Sequence, residues 1–240
     1  MCKSALSGKP EGRHAFPLEP RVQGRFARIA TAETFSTSHD ACCVSTPSDR
    51  HALRRELRER RRALPASTRI AAADVLADRL LALPFAPMSG HIAGYWAMDG
   101  EIGLHALQLR LPTTLTYCLP LLHVDGSLRF APWRPGDALV TNRYGIPEPD
   151  LASADALKAE TMAMIVLPLV GFDADCRRLG MGGGWYDRSL AFRNAQTSPP
   201  WLVGAAFDAQ RVDAIAAEAW DVRLDAVCSE AATYTAKGNA

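Results

Sequence analysis

The positions of apolar and polar residues divide the chain into two parts that differ in regularity. Residues 1–48 show no sustained periodicity and carry proline, glycine, serine and threonine throughout, a composition typical of a flexible extension. From residue 49 onward, apolar residues recur at helical spacing or in short continuous runs. We therefore predict one folded domain over residues 49–232, with a short tail over residues 233–240.

A first amphipathic helix opens the predicted domain. Ser48 or Asp49 can cap it, and the apolar pattern continues to about Leu64. Leu53, Leu57 and Leu64 recur on one side of this helix at helical spacing. That side is predicted to be buried.

A second helix is predicted to follow directly. Pro65 interrupts the first helix, Ser67 can cap the second, and the pattern ends near Leu83. The apolar stripe of the second helix consists of Ile70, Ala73, Leu76, Leu80 and Leu83. This stripe is expected to face the core.

Short apolar runs after the second helix predict strands. These runs are His91–Trp96, Leu115–Leu119, Leu128–Ala131, Ile165–Val170, Trp201–Phe207 and Trp220–Val227, with a short helix predicted at Leu104–Arg110. Strands that alternate with helices are typical of a parallel sheet covered by helices. The pattern therefore predicts an α/β fold.

A glycine-rich segment follows the strand at Ile165–Val170 and precedes a helix predicted to begin near Trp185. Its glycines are Gly180, Gly182, Gly183 and Gly184. Glycine permits positive φ, so that successive backbone N–H groups can converge on an anion, and Arg178 and Asp187 add one charge of each sign. The spacing fits neither a P-loop nor G-x-G-x-x-G, so the local chemistry alone indicates an anion site.

The first helix carries an unusual number of arginines: Arg50, Arg54, Arg55, Arg58, Arg60, Arg61 and Arg62. We interpret most of them as a solvated basic face that Glu56 and Glu59 relieve. Arg50 and Arg54 lie four positions apart on one helical face. They could offer a pair of guanidinium donors to a polyphosphate.

Further candidate residues lie near predicted strand ends. Glu101, Trp96 and Met98 combine a carboxylate with large apolar side chains, a mixture that would suit a flat ring such as a pterin. Tyr144 lies in a proline-rich stretch that is predicted to be a rigid loop. Asp225 is an acid within an apolar run, and it is either a paired structural acid or a metal-binding carboxylate.

The composition of the chain narrows the classes of function that fit it. The 27 basic and 26 acidic side chains nearly balance, which argues against a dedicated nucleic-acid binder, and no apolar run approaches the length that spans a bilayer. The six cysteines show no C-x-x-C spacing, which favours reduced thiols in a cytosolic protein. Neither a zinc-site spacing nor a nucleophilic triad motif stands out.

Five segments, in order, resemble the 5-formyltetrahydrofolate cyclo-ligase family. They are Arg50–Arg54, Trp96–Ile102, Arg143–Pro149, Gly171–Asp187, and Trp220–Val222 with Asp225–Val227. The resemblance spans about residues 49–230. It implies a three-layer α/β/α fold with a mainly parallel central sheet in a single domain. It also implies conversion of 5-formyltetrahydrofolate to 5,10-methenyltetrahydrofolate, with ATP and Mg²⁺ giving ADP and phosphate, through phosphorylation of the formyl oxygen and ring closure by N10.

The resemblance also implies roles for individual residues. The ATP-binding set is Arg50, Arg54, Arg178, Leu179, Gly180, Met181, Gly182, Gly183, Gly184, Trp185 and Tyr186. The folate-binding set is Trp96, Met98, Glu101 and Tyr144. Arg178, Tyr186 and Asp187 are the implied catalytic residues, and Asp187, with Asp225 as a second candidate, is implied for Mg²⁺. Arg50 stands where the family often has lysine, and Trp185 precedes Tyr186 where many members have two tyrosines.

Two other functions remain open on the sequence. A glycine loop would also serve a sugar-phosphate isomerase or a CoA-transferase-like protein on a related scaffold. The arginines from Arg54 to Arg62 could instead belong to an RNA-binding module. The leading expectation is a cytoplasmic, monomeric enzyme that binds neither nucleic acid nor membrane.

Overall fold

The computed structural model describes residues 47–236, so the predicted N-terminal extension lies outside the described residues. The helices are α1 (Pro47–Arg62), α2 (Ala66–Leu81), α3 (His105–Arg110) and α4 (Trp185–Leu190). The strands are β1 (Gly90–Ala93), β2 (Leu115–Leu122), β3 (Leu128–Pro132), β4 (Leu139–Thr141), β5 (Pro147–Pro149), β6 (Met164–Pro168), β7 (Gly171–Phe172), β8 (Arg178–Leu179), β9 (Trp201–Ala205), β10 (Ala226–Cys228) and β11 (Thr233–Thr235). Short 3-10 turns occupy Ala159–Thr161, Ala191–Asn194 and Asp208–Gln210.

A seven-stranded sheet forms the centre of the protein, in the order β11-β10-β9-β6-β1-β2-β3. The five inner strands pair in parallel, from β10 through β9, β6 and β1 to β2. The outer strands β3 and β11 pair antiparallel with their neighbours. The α/β class with a mainly parallel sheet is therefore confirmed.

Side chains alternate between the two faces of the sheet, as β6 illustrates. Met164 and Val166 pack into the cluster beneath α2 and α3, whereas Ile165 and Leu167 pack on the opposite face. That opposite face is covered by Leu190 of α4 together with short turns and loops. The result is the expected three-layer arrangement, with a thinner layer on the α4 side.

Helix α2 differs from its prediction at one position. Four of the five residues in the predicted stripe are buried, but Ile70 is 61% exposed. Ala72 and Ala77 are buried in its place, so the buried face of α2 is offset from the predicted stripe. Small residues on this face let the helix approach the sheet closely.

The C-terminal end of the domain lies later than the predicted residue 232. Thr233–Thr235 forms β11, which pairs antiparallel with β10, and Ala236 is buried against the sheet. The sequence Thr-Tyr-Thr has high β-propensity, which accounts for this edge strand. The final strand predicted at Trp220–Val227 is correspondingly shorter and begins only at Ala226.

The stretch predicted as a rigid loop contains a small ribbon. β4 and β5 pair antiparallel, and Tyr144 lies in the turn between them. The side-chain oxygen of Asn142 accepts hydrogen bonds from the N–H groups of Tyr144 and Ile146 at 2.9 and 3.1 Å.

Over the part of the chain described here, no helix has the length and apolar character required to cross a membrane.

Candidate functional site

The glycine loop lies beyond the carboxyl end of β6, at the edge of the sheet where the loops that follow the parallel strands meet. β7 and β8 form a two-stranded ribbon that leads into residues 180–184, and α4 begins directly afterwards. Gly182 and Gly184 have φ of 93° and 66°, which L side chains rarely adopt. A Cβ at Gly184 would also approach Nη1 of Arg188 to 2.7 Å. The positive φ is therefore what favours glycine at these two positions, because the end of the flexible Arg188 side chain could move away from a Cβ.

A cavity of about 720 Å³ opens on one side of this loop. The residues that line it are Arg50, His51, Arg54, Arg178, Leu179, Gly180, Met181, Gly182, Gly184, Asp187, Arg188, Ala191, Asn194, Glu218, Trp220 and Asp221. Four arginines and three carboxylates therefore share one cavity. We call it the charged cavity.

Helix α1 supplies two of the arginines in the charged cavity. Nε of Arg54 donates to the carbonyl oxygen of Gly180 at 2.8 Å, which ties the helix to the glycine loop. Nη2 of Arg50 donates to the carbonyl oxygen of Ala216 at 2.6 Å and to Asp221 at 3.1 Å. Burial, and then the charge of Arg50, lowers the pKa of Arg54 despite the opposing effect of Asp221. The helical spacing of Arg50 and Arg54 thus places both in one cavity, as predicted.

Leu179 reaches the charged cavity in a different way. Its side chain is buried with Leu57 and Val170 in a small apolar cluster beneath α1. The predicted contact of Leu179 with a ligand is therefore confined to its backbone.

A second cavity, of about 290 Å³, lies on the other side of the glycine loop. Its lining includes all four residues of the predicted folate set, namely Trp96, Met98, Glu101 and Tyr144. Gly183, Trp185 and Tyr186 also line this cavity and are absent from the lining of the charged one. These three residues of the predicted ATP-binding set therefore lie on the side of the aromatic cavity, whereas Gly180, Met181, Gly182 and Gly184 line both cavities. We call this second site the aromatic cavity.

Glu101 provides the carboxylate of the aromatic cavity. Oε2 accepts a hydrogen bond from the N–H of Met98 at 3.0 Å, and Oε1 lies 3.6 Å from Nη1 of Arg61. Burial raises the pKa of Glu101, while the Met98 N–H and the charge of Arg61 partly offset the rise. Glu101 is thus an acceptor in a largely desolvated position.

Arg61 is the site residue that the sequence interpretation missed. Its side chain is fully buried, although it was interpreted as part of a solvated basic face. It donates to the carbonyl oxygen of Leu169 at 3.3 Å, and to both the carbonyl oxygen and the carboxylate of Asp99 at 3.0 and 2.8 Å. The signal was present in the sequence, since Arg61 follows Leu57 by four positions on the buried side of α1.

Asp99 accepts hydrogen bonds from three arginines of α1 beside the aromatic cavity. Arg58 donates to it at 2.7 Å, and Arg61 and Arg62 donate as well. Burial by itself would raise the pKa of Asp99, but the hydrogen bonds from Arg58, Arg62 and Arg61 outweigh it and lower the pKa to about 2. Asp99 therefore remains ionised and fixes the end of α1 against the loop after β1.

Two aromatic rings form the outer edge of the aromatic cavity. Tyr144 and Trp185 meet edge to face with centroids 6.1 Å apart, and Nε1 of Trp185 donates to the Tyr144 hydroxyl at 3.3 Å. The guanidinium groups of Arg143 and Arg188 each lie 5.2 Å from the centre of the Trp185 ring. The turn between β4 and β5 is thereby connected to α4.

Arg178 and Asp187 lie where the two cavities meet, since both residues line both cavities. The Arg178 guanidinium donates to Asp187 and to the carbonyl oxygen of Val222. Burial lowers the pKa of Arg178, although Asp187 opposes the shift. Burial, followed by the nearby Glu101, raises the pKa of Tyr186, so that its hydroxyl stays a donor.

Asp225 lies apart from this junction. It lines a different cavity, and Arg193 donates to both of its carboxylate oxygens at 3.0 Å. The N–H of Leu202 donates to Oδ2 at 2.7 Å. Because a buried acid requires such partners, the structure favours the paired structural acid over the metal ligand.

The donor set at the junction fits a magnesium ion that arrives with a nucleotide. Within residues 47–236, no group of three or more histidine, cysteine, aspartate or glutamate side chains could hold a metal ion. Asp187 nevertheless offers one carboxylate beside the arginines of the charged cavity. Mg²⁺ is commonly held by one or two carboxylates and by substrate phosphates, so one protein carboxylate is sufficient.

A glycine loop between two cavities, at the carboxyl edge of a mainly parallel sheet, is the arrangement typical of α/β proteins that bind phosphate ligands. The sequence profile described as the 5-formyltetrahydrofolate cyclo-ligase family matches residues 46–230. The 5-formyltetrahydrofolate cyclo-ligase of Escherichia coli (strain K12) is 38% identical over 176 residues, which cover 71% of this chain and 94% of that protein. The cyclo-ligase of Haemophilus influenzae is 35% identical over 179 residues, covering 73% and 94%. The chain belongs to the 5-formyltetrahydrofolate cyclo-ligase family.

Solved structures show the same fold. The 5,10-methenyltetrahydrofolate synthetase of Aquifex aeolicus superposes with a TM-score of 0.67 at 24% identity, covering 80% of this chain and 94% of that chain. The enzyme of the same name from Mycoplasma pneumoniae gives a TM-score of 0.59 at 24% identity, covering 76% and 99%. These likenesses support the architecture described above.

Proposed function

We propose that this protein converts 5-formyltetrahydrofolate to 5,10-methenyltetrahydrofolate while ATP becomes ADP and phosphate. The observation that carries the proposal is the wall shared by the two cavities, to which Arg178, Asp187 and the glycine loop contribute. The charged cavity suits a polyphosphate, and the aromatic cavity suits a flat heteroaromatic ring. The reacting groups of the two substrates would meet at the wall.

The chemistry explains why the two ligands must meet. A formamide oxygen is a poor leaving group, so N10 of the folate cannot expel it at a useful rate. Transfer of the γ-phosphoryl group from ATP to that oxygen gives a phosphate ester and ADP. Attack by N10 on the formyl carbon then forms the new C–N bond, and phosphate leaves with the oxygen as the C–O bond breaks and N10 loses its proton. Such a reaction needs positioning and charge stabilisation rather than a nucleophilic side chain.

The residues at the shared wall would divide this work. Arg178 would stabilise the negative charge that develops on the phosphoryl oxygens, and N–H groups of the glycine loop would add donors. The protonated hydroxyl of Tyr186 lies on the folate side and would donate to the formyl oxygen or to the phosphate formed there. Asp187 would hold Mg²⁺, which when bound offsets phosphate charge.

The aromatic cavity would bind the pterin. The Glu101 carboxylate would accept hydrogen bonds from pterin N–H groups, and Trp96, Met98 and Tyr144 would contact the ring. In the charged cavity, Arg50 and Arg54 would attract the triphosphate. We further propose a monomer in the cytoplasm, a location supported by the free thiols of Cys118, Cys176 and Cys228.

Ion pairs within α1 and between α1 and Asp99 argue against the RNA-binding alternative. Arg58, Arg61 and Arg62 all bind the single carboxylate of Asp99, and Arg60 pairs with Glu56. These arginines are therefore largely engaged within the protein. We propose that nucleic acid is not a ligand.

A direct assay tests the proposed function. Protein is mixed with 5-formyltetrahydrofolate, ATP and Mg²⁺, and the absorbance of methenyltetrahydrofolate is followed. We expect product to form only when all components are present, with one ADP per methenyl group. Product formation that did not depend on ATP, or ATP turnover without methenyl product, would contradict the proposal.

An isotope experiment tests the order of steps. If the formyl oxygen attacks the γ-phosphorus, a heavy oxygen label in the formyl group ends in inorganic phosphate. If water hydrolyses ATP instead, the label leaves as water. Mass spectrometry of the phosphate after a single turnover separates the two routes.

A further inference from the structure

The charged cavity contains two apolar side chains that its phosphate chemistry does not use. Trp220 is 63% exposed and Met181 is 56% exposed, and both line this cavity, although Met181 lines the aromatic cavity as well. Single exposed apolar residues are common on protein surfaces. Two large apolar side chains in the lining of one arginine-rich cavity give that cavity an apolar part as well as a cationic part.

The segment that carries Trp220 is bound by arginines of the cationic part. The next residue, Asp221, accepts a hydrogen bond from Arg50 at 3.1 Å and another from the N–H of Glu218 at 2.9 Å. The carbonyl oxygen of Val222 accepts a hydrogen bond from Arg178. Arg50 therefore binds the side chain of the residue after Trp220, and Arg178 binds the backbone of the next residue, so both arginines contact the segment that carries the indole.

This arrangement matches a ligand with one polyanionic end and one flat apolar end. Met181 belongs to the glycine loop and Trp220 to the segment bound by Arg50 and Arg178, so the apolar part is contributed by two separate segments. An exposed indole face can stack on a nucleobase at little cost in ordering, and a thioether adapts to the surface that it meets. Asp187 and the arginines account for the phosphates but leave the base without a partner.

We propose that Trp220 stacks on the purine base of the bound nucleotide, with Met181 contacting the base from the glycine loop. This inference rests on the proposed function, because it assigns the part of the charged cavity that binds the base. Trp220 then determines affinity for the nucleoside part of ATP. The arginines determine affinity for the triphosphate.

Equilibrium binding separates these two contributions without turnover. The variants are Trp220→Leu, which removes the aromatic face, and Trp220→Phe, which keeps a ring. Binding of ADP with Mg²⁺ is measured by calorimetry, and binding of inorganic tripolyphosphate is measured in parallel. For Trp220→Leu we expect ADP to bind roughly 5- to 100-fold more weakly, the range typical for loss of a base–aromatic stack, while tripolyphosphate affinity stays unchanged. Trp220→Phe should retain most of the ADP affinity.

A matched control accounts for general effects of removing an exposed apolar side chain. Leu109 on α3 is 80% exposed and lines neither of the two cavities, so Leu109→Ala should leave both affinities unchanged. Equal ADP affinity in Trp220→Leu and wild type would overturn the inference. Parallel losses of ADP and tripolyphosphate would also overturn it, because Trp220 would then act through the arginines. A wild-type protein that binds tripolyphosphate but not ADP would overturn the proposed function as well.

Discussion

The charged cavity and the aromatic cavity differ in how they achieve specificity. The charged cavity, of about 720 Å³, is lined by four arginines and three carboxylates, and two of these arginines bind carboxylates directly, Arg50 with Asp221 and Arg178 with Asp187. The aromatic cavity, of about 290 Å³, is lined by the rings of Tyr95, Trp96, Tyr144, Trp185 and Tyr186, and the Arg61 and Glu101 side chains in its wall are largely buried. A larger cavity lined by guanidinium groups suits a flexible polyphosphate, whereas a smaller cavity lined by aromatic rings suits a rigid ring with few polar atoms.

This difference leads to a rule for substitutions. Changes confined to one cavity should alter the binding of one substrate, and changes at the shared wall should alter the chemical step. The four predictions below test this rule.

Asp187→Asn should have the largest effect, because Asp187 lines both cavities. The amide is a weaker Mg²⁺ ligand than a carboxylate and a poorer partner for Arg178. We expect kcat to fall at least about 100-fold with the fold intact, which is the scale for loss of one group that stabilises a transition state. Steady-state kinetics across a Mg²⁺ titration provides the measurement, with Asp187→Glu as the variant that keeps the charge. Normal turnover of Asp187→Asn at ordinary Mg²⁺ would show that Asp187 is not a metal ligand.

Arg61→Met should have the next largest effect, and mainly on stability. The substitution leaves Glu101 without its nearest cation and removes the hydrogen bonds to Asp99 and Leu169. Breaking a buried ion pair by removing one partner costs about 3–5 kcal/mol of unfolding free energy. Urea denaturation measures this loss.

The control for Arg61→Met lies one position earlier on the same helix. Arg60 is exposed and pairs with Glu56 one turn away, so Arg60→Met should cost no more than about 0.5 kcal/mol. Equal losses in the two variants would mean that Arg61 does not support the aromatic cavity.

Glu101→Gln should raise the KM for the folate by about tenfold and leave the KM for ATP unchanged, since a charged acceptor is lost from the aromatic cavity only.

The difference in folate affinity between the wild type and Glu101→Gln should depend on pH. Burial raises the pKa of Glu101, so in the wild type the carboxylate becomes protonated as the pH falls toward that raised pKa, and folate affinity falls with it. The variant has no such titration, so the ratio of wild-type to variant kcat/KM should shrink on the acid side. A ratio that stays constant with pH would contradict the assigned role of Glu101.

Deletion of residues 1–45 should have the smallest effect. The family match begins at residue 46, and α1, which carries the first arginines of the charged cavity, begins at Pro47. We expect both KM values and kcat to remain within about twofold of wild type, since loss of one good hydrogen bond would already exceed that change. A large loss of turnover in a folded truncation would show that this segment takes part in the reaction.

The sequence predicted the parts of the fold that depend on local patterns. The apolar run of β6 and the glycines of the loop can be recognised in the sequence, because burial and positive φ restrict which residues can occupy these positions. The helical spacing of Arg50 and Arg54 likewise placed both in one cavity. These features require no knowledge of distant segments.

The features that were missed depend on partners far away in sequence. Arg61 was taken as solvated because its partner Asp99 lies 38 positions further along the chain. Asp225 could not be decided until Arg193 was found beside it. The resemblance assigned Trp185 and Tyr186 to ATP, a role that stays a prediction, and their position beside the aromatic cavity is set by tertiary packing that the sequence does not show.

The loop over residues 180–184 has a consequence for how the two ligands sense each other. It bounds both cavities, so a shift of this segment when one ligand binds changes the free energy of the other ligand's binding. Thermodynamic linkage makes any such coupling reciprocal: whatever factor ATP applies to the affinity for folate, folate must apply to the affinity for ATP. Coupling between the two sites would therefore need no conformational change in the sheet, because it would pass through the short loop of residues 180–184 that bounds both cavities.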